Sequence, residues 1–290
     1  RRYVNTIEGD YQFNNRVSAH VGYRYTNRKV DVMGYDVTLT SAPSSTNPRN
    51  ILEDEKNSTH TLIAGMKIKP VKNWVIFWDV EKGSADNVFS RLENYKFTNF
   101  RVRSKVTLNK FSFNFSAVAK DNNNPSQTPT ALNFGTDIKN YFYSGSVEWA
   151  PMDKVQVSSG YTYHHLTADT PIIVSVDGVS RLGFSQFFMR DHYGYLDISA
   201  KPIKRLSLYG SLRINRDKGQ ENRFSTLPEI IYGGYPMNML TPEFRAAIRL
   251  TRNVDWNIGY QYYNYQDSQT PSQNYRAHLP YTSLKIYFGG

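Results

Sequence analysis

The residues best placed to do chemistry are cations. Arg101, Arg103 and Lys105 alternate with Phe100, Val102, Ser104 and Val106. A β-strand sends successive side chains to opposite faces, so these three stand in a row on one face. Lys67, Lys120, Arg213, Arg245, Arg249 and Lys285 fall on the polar side of similar alternations, with Asp79, Glu81, Glu148, Asp197 and Asp255 beside them. Two readings stay open. One is a salt-bridged wall that keeps a water-facing surface hydrated and rigid. The other is a wall that favours anions or grips an acidic plug. Rings of Arg and Lys select anions where a pore is narrow. In a wide one, salt screens them beyond roughly 8–10 Å.

Other chemistry is poorly supplied. The six histidines are His20, His60, His164, His165, His192 and His278, and none sits in an HExxH or comparable metal spacing. His164 and His165 are neighbours on a strand pattern and face opposite sides. Asp191 and His192 point apart for the same reason, so they make a poor start for a hydrolase at a barrel rim. There is no GxSxG, P-loop or GxGxxG. Cysteine is absent, which excludes disulfides, Cys-based zinc sites and covalent CxxCH haem on this chain. The expectation is a protein that is not an enzyme, with no catalytic, cofactor-binding or metal residues and no cofactor of its own. Lys and Arg exceed Asp and Glu by 10, yet the cations are spread along the strands without a clustered stripe, which argues against nucleic acid.

The elements that must position these cations are strands. Only 39% of the 290 residues are hydrophobic, while 14% are aromatic, with 22 Tyr and 16 Phe. That balance is awkward for a water-soluble core, because buried Tyr hydroxyls need partners, and it suits a membrane interface. No apolar run approaches the roughly 18 residues of a membrane helix. Thirteen alternating segments are expected near residues 2–13, 17–30, 59–69, 74–83, 97–108, 111–121, 137–150, 155–166, 190–201, 205–217, 242–252, 254–266 and 279–288. Short connections such as Pro151-Met152-Asp153-Lys154 alternate with long ones at 31–58, 122–136, 167–189 and 218–241, all rich in Pro, Asn, Ser or Gly. This is the rhythm of outer-membrane barrels, with tight periplasmic turns and long external loops.

The stretch Val155–Tyr163 shows the faces. Val155, Val157, Ser159, Tyr161 and Tyr163 point one way; Gln156, Ser158, Gly160 and Thr162 point the other. A soluble sandwich would turn the apolar set inward, a membrane barrel outward. The aromatics at the strand ends favour the barrel: Trp74, Trp78, Trp149, Tyr161, Tyr163, Trp256, Tyr260 and Tyr262 read as interface girdles. The expected fold is therefore all-β, an antiparallel transmembrane β-barrel of about 13 visible strands, in the bilayer of a bacterial outer membrane. The final strand, ending Tyr287-Phe288-Gly289-Gly290, resembles the assembly signal of such proteins. With short turns periplasmic, an odd strand count starts the chain outside. Bacterial barrels have even counts and both termini inside. Residues 1–290 thus read as one barrel domain, the C-terminal part of a larger barrel whose first strands and signal peptide lie outside this sequence.

Three phrases share a proline turn followed by an alternating strand: "KPVKNWVIFWDVEKG", "APMDKVQVSSGYTYHH" and "KPIKRLSLYGSLRINR". With "NYRAHLPYTSLKIYF" at the end, including Tyr275-Arg276-Ala277-His278, the chain resembles the MtrB/PioB family of barrels that accompany multihaem cytochromes. That resemblance implies a sheath around a periplasmic multihaem c-type cytochrome, through which electrons cross the membrane. The alternative is a porin or substrate channel, including part of a TonB-dependent receptor.

Overall fold

The computed structural model describes residues 1–36, 49–86, 94–124, 135–176, 179–219, 230–233, 236–268 and 270–288. Within them the chain is almost entirely strand: β1 (Arg2–Asn14), β2 (Val17–Asp36), β3 (Arg49–Val71), β4 (Trp74–Ala85), β5 (Lys96–Leu108), β6 (Phe111–Asn124), β7 (Thr136–Met152), β8 (Val155–Val176), β9 (Val179–Ile203), β10 (Leu206–Asp217), β11 (Ile230–Gly233), β12 (Met237–Arg249), β13 (Val254–Asp267) and β14 (Tyr275–Ile286). A single turn of 3₁₀ helix at Pro271–Gln273 precedes β14. The strands form one sheet in chain order, each antiparallel to the next, except that the short β11 runs parallel to β9 at Phe184–Phe187. Among the described residues β1 pairs only with β2 and β14 only with β13, so the sheet has two unpaired edges.

The thirteen expected segments are all strands. At the short-turn end their bounds agree with expectation to within about three residues. Asn14 shows why such turns are tight: its Oδ1 accepts from the backbone N–H of Arg16 at 2.7 Å and of Val17 at 2.9 Å. Asn109 opens another with a φ of 49°, a conformation Asn tolerates better than most residues.

The long-loop end differs. The connection expected at 167–189 is mostly strand: β8 runs on to Val176 and β9 starts at Val179, paired as far as Val176 with Val179. Likewise β2 and β3 stay paired out to Asp36 and Arg49. Backbone pairing there outlasts the alternation of faces. The alternation of apolar and polar residues does not carry on through these segments, and Pro171 gives one of them the look of a loop. His164 and His165 therefore lie mid-strand. The centres of the other expected connections, 37–48, 125–134 and 220–229, lie outside the described residues.

The register joins the faces of neighbouring strands. Ala64 pairs with Val21 and Val80, Val80 with Phe100, Phe100 with Ala119. Trp149 pairs with Phe111 and Val157, Val157 with Ile198, Ile198 with Gly210, and Gly210 with Phe244. One apolar face thus crosses β2 to β14, with one polar face behind it.

Burial runs opposite to that of a water-soluble protein. Val21 and Leu62 on the apolar face are 66% and 64% exposed. The buried residues, among them Thr61, Asn122, Thr136, Ser211 and Thr241, lie on the polar face. The glycines say why. On the apolar face a Cβ at Gly145 or Gly194 would have nothing within 4 Å, whereas on the polar face a Cβ at Gly65, Gly83, Gly160 or Gly259 would fall under 3.0 Å from a neighbouring side chain. The sheet curves with its polar side concave and crowded and its apolar side convex and fanned out. An apolar surface of this extent facing outward needs an apolar solvent.

Candidate functional site: the polar inner wall

The register places Lys67, Arg101, Arg103, Lys105, Lys120, Arg213, Arg245, Arg249 and Lys285 on the concave face. Asp79 pairs with Arg101, Phe77 with both Lys67 and Arg103, and Asn114 with Lys105. Across the sheet Tyr209 pairs with Arg245, and Asp255 with Arg249 and Lys285.

Their partners fall into three groups. In the first, Asp79 lies 3.3 Å from His20 Nε2 and 3.7 Å from Arg103, and Arg24 lies 3.6 Å from Glu81. Gly65, between His20 and Asp79 on the intervening strand, makes this meeting possible, since a Cβ there would collide with both side chains. Lys67 and Arg103 also stand over the Phe77 ring at 5.3 and 5.4 Å. In the second, Arg213 bridges to Asp197 at 3.3 Å and donates to Ser211 Oγ, Tyr209 donates to Asp197 at 3.1 Å, and Arg245 lies 5.0 Å over Tyr209. In the third, Asp255 accepts from Arg249 at 3.2 Å and Tyr287 at 3.0 Å, while Lys285 stands 4.8 Å over Tyr287.

Among the described residues, then, Arg103, Arg213 and Arg249 have a carboxylate within 4.0 Å and the other six cations do not. The wall is not a neutral lattice of ion pairs. Several clefts open on it. One of about 490 Å³ is lined by Phe77, Arg103, Lys105, Asn114, Phe142 and Tyr195; one of about 410 Å³ by Tyr209, Arg245, Asn257, Tyr281 and Lys285, with Asp255 at its side. Both set cations beside aromatic faces, an arrangement that holds an anion with an apolar or aromatic body.

The clefts could not be read from charge alone. Two of their lining rings, Tyr195 and Tyr281, lie across glycines of the next strand, Gly160 and Gly259, as Phe97 does across Gly83 elsewhere on the wall. A repeat carries the signal. "VSAHVGYRY", "VQVSSGYTY" and "VDWNIGYQY" start β2, β8 and β13, each with Gly facing inward and Tyr-x-Tyr facing outward.

The outward half of that repeat forms a belt. Tyr23 meets His60 Nδ1 at 2.5 Å, Tyr161 meets His192 Nδ1 at 2.6 Å, and Tyr260 meets His278 Nδ1 at 2.6 Å. The second Tyr of each strand, Tyr25, Tyr163 or Tyr262, lies 5.0–5.2 Å from the same ring. Each first Tyr is six residues beyond the start of its strand, roughly 20 Å along it. Nearer the short turns, Trp74 donates to Ser104 at 2.9 Å, Trp256 donates to Thr282 at 2.7 Å, and Trp149 stacks on Phe111. Trp78 lies between the two levels.

His164 and His165 face opposite sides. His164 Nε2 contacts Asn140 on the inner wall at 2.8 Å, and His165 packs by Tyr141 and Tyr163 on the outer. Asp191 and His192 also separate, Asp191 opposite His164 and His192 opposite Tyr163. Glu8, Asp10 and His20 bring their ligand atoms within 4.8 Å of one another, a cluster not anticipated from spacing because it spans β1 and β2.

No protein-family model and no curated protein sequence matches the chain. Solved structures do. The ferric enterobactin receptor PfeA mutant G324V from Pseudomonas aeruginosa matches at a TM-score of 0.50 and 10% identity, covering 91% of this chain and 50% of that one. The fold is that of an outer-membrane β-barrel. The outer membrane transporter YddB from Escherichia coli matches at 0.46 and 10% identity, covering 98% and 50%. The ferric-catecholate import receptor Fiu from E. coli matches at 0.48 and 9% identity, covering 98% and 57%. The chain spans about half the length of these proteins. They lend no support to the specific resemblance to cytochrome-associated barrels.

Proposed function

We propose that this chain forms the wall of a transport channel in the bacterial outer membrane, with an inner surface that favours anionic solutes. The observation that carries the reading is the pairing of an exposed convex apolar face with a concave face on which Lys67, Arg101, Lys105, Lys120, Arg245 and Lys285 have no carboxylate within 4.0 Å among the described residues. Likeness to the ferric enterobactin receptor supports the transport half. This chain covers half the length of that barrel. The sheath around a multihaem cytochrome rests on the sequence phrases alone, and no contact of the inner wall favours it.

The test is reversal-potential measurement in planar bilayers under a salt gradient. Anion preference supports the reading. Replacing Arg101, Arg103 and Lys105 by Glu should turn it toward cations. A wall that conducts nothing until a red multihaem protein is supplied would restore the sheath.

A further inference from the structure

We propose that His60, Lys82, Ser84 and Lys96 form a binding site for the phosphate of an anionic lipid headgroup on the outer surface of the wall. The inference rests on the reading that the convex face lies in lipid. Lys82 and Lys96 are two of the lysines that interrupt that face, and both are exposed. Lys82 pairs with Leu62 and Thr98; Ser84 pairs with His60 and Lys96. The four polar residues therefore occupy two adjacent rungs over three strands, beside the exposed Leu62 and above the exposed Phe100. With Tyr23 they line a groove of about 570 Å³.

Neither lysine has a carboxylate within 4.0 Å among the described residues. The acids of this region are engaged elsewhere: Asp121 accepts from Tyr141 at 3.3 Å, and Asp86 accepts from the Ser58 N–H at 2.7 Å. The Tyr23 hydroxyl and His60 Nδ1 share a hydrogen bond, and in the tautomer where Tyr23 is the donor, Nε2 carries the ring proton and can donate to an oxyanion. Lys82 is eight residues beyond Trp74, roughly 26 Å along the strand or about 20 Å of height at a 35–45° tilt, which puts it in the outer part of a ~25 Å apolar band. There, two ammonium groups, a hydroxyl and an imidazole N–H meet the headgroup level, while Leu62 and Phe100 face the acyl chains. A phosphorylated lipid offers both parts at that spacing.

The full chain is incorporated into phosphatidylcholine discs doped with a bisphosphorylated lipid A, and lipid retained after detergent release is counted by native mass spectrometry. Wild type should retain the phosphorylated lipid. Lys82→Gln with Lys96→Gln should hold it roughly tenfold more weakly, while Lys201→Gln with Lys204→Gln, at the other end, should match wild type. Excess inorganic phosphate should not displace it. Equal retention by the Lys82/Lys96 variant in intact discs, or displacement by free phosphate, overturns the site and leaves the membrane reading standing. Failure of wild type to enter the discs overturns both.

Discussion

The Tyr161 hydroxyl and His192 Nδ1 meet at 2.6 Å across the β8–β9 pair, on the convex face. The same contact recurs between Tyr23 and His60 and between Tyr260 and His278. An amphipathic ring pair of this kind has an apolar body and a polar tip, and it suits the boundary between lipid and water. Each bond is a neutral one near the surface, so Tyr161→Phe should cost about 0.5–1.5 kcal/mol. Tyr23→Phe and Tyr260→Phe should cost similar amounts and add, because the three pairs are far apart along the sheet. Denaturant unfolding from lipid vesicles measures this; an unchanged stability in the triple variant would deny the belt any structural role.

Adjacent residues on one strand should respond oppositely to charge. Val157 faces out, opposite Trp149 and Ile198; Ser158 faces in, opposite Glu148 and Asp197. Val157→Arg, level with Trp149 near the interface, should lower stability in vesicles by up to about 1 kcal/mol. Ser158→Arg gains two carboxylates across its strand pairs and should be tolerated. Equal costs for the two in the same unfolding assay would mean the faces are assigned wrongly.

Curvature makes a second pair of opposites. A Cβ at Gly160 would collide with the Tyr195 ring, whereas one at Gly145 meets open space. Gly160→Val should destabilise by about 2 kcal/mol or more through overpacking. Gly145→Ala should be neutral or slightly stabilising, since glycine weakens a strand interior. Folding yield and unfolding midpoint read both. A tolerated Gly160→Val would deny that the polar side is concave.

Asp79 tempers the inner wall. It lies 3.3 Å from His20 and 3.7 Å from Arg103. Asp79→Asn removes a negative charge from the row and releases Arg103, so anion preference should rise, by roughly twofold in permeability ratio given screening in a wide lumen. Reversal potentials in matched salt gradients give the ratio. An unchanged or lowered ratio would show that ions do not pass this row.

Much of this architecture is legible in the residues, and the boundary of legibility is physical. The alternation at Val155–Tyr163 reads as a strand because each face has its own solvent. The same strand from Thr167 to Val176 does not, because pairing continues where the alternation has ended. The nine inner cations are visible from parity. Which of them are paired is not, since Asp79 reaches His20 over Gly65 on the strand between them, and such a diagonal depends on register. The Tyr–His belt is half visible: Gly-Tyr-x-Tyr repeats in the chain, but His60, His192 and His278 share no local phrase and are brought to it by three different strand pairings.

That the convex apolar face meets lipid and the concave polar face meets water is tested most directly along β8. The chain has no cysteine, so single cysteines can be placed freely there. Nitroxide labels at positions 155 to 163, read in bilayers by electron paramagnetic resonance, give accessibility to oxygen and to a water-soluble nickel chelate. Oxygen contact is expected at 155, 157, 159 and 161 and nickel contact at 156, 158, 160 and 162, alternating residue by residue. Uniform nickel access along the strand, or alternation in the opposite phase, would contradict the assignment of the two faces.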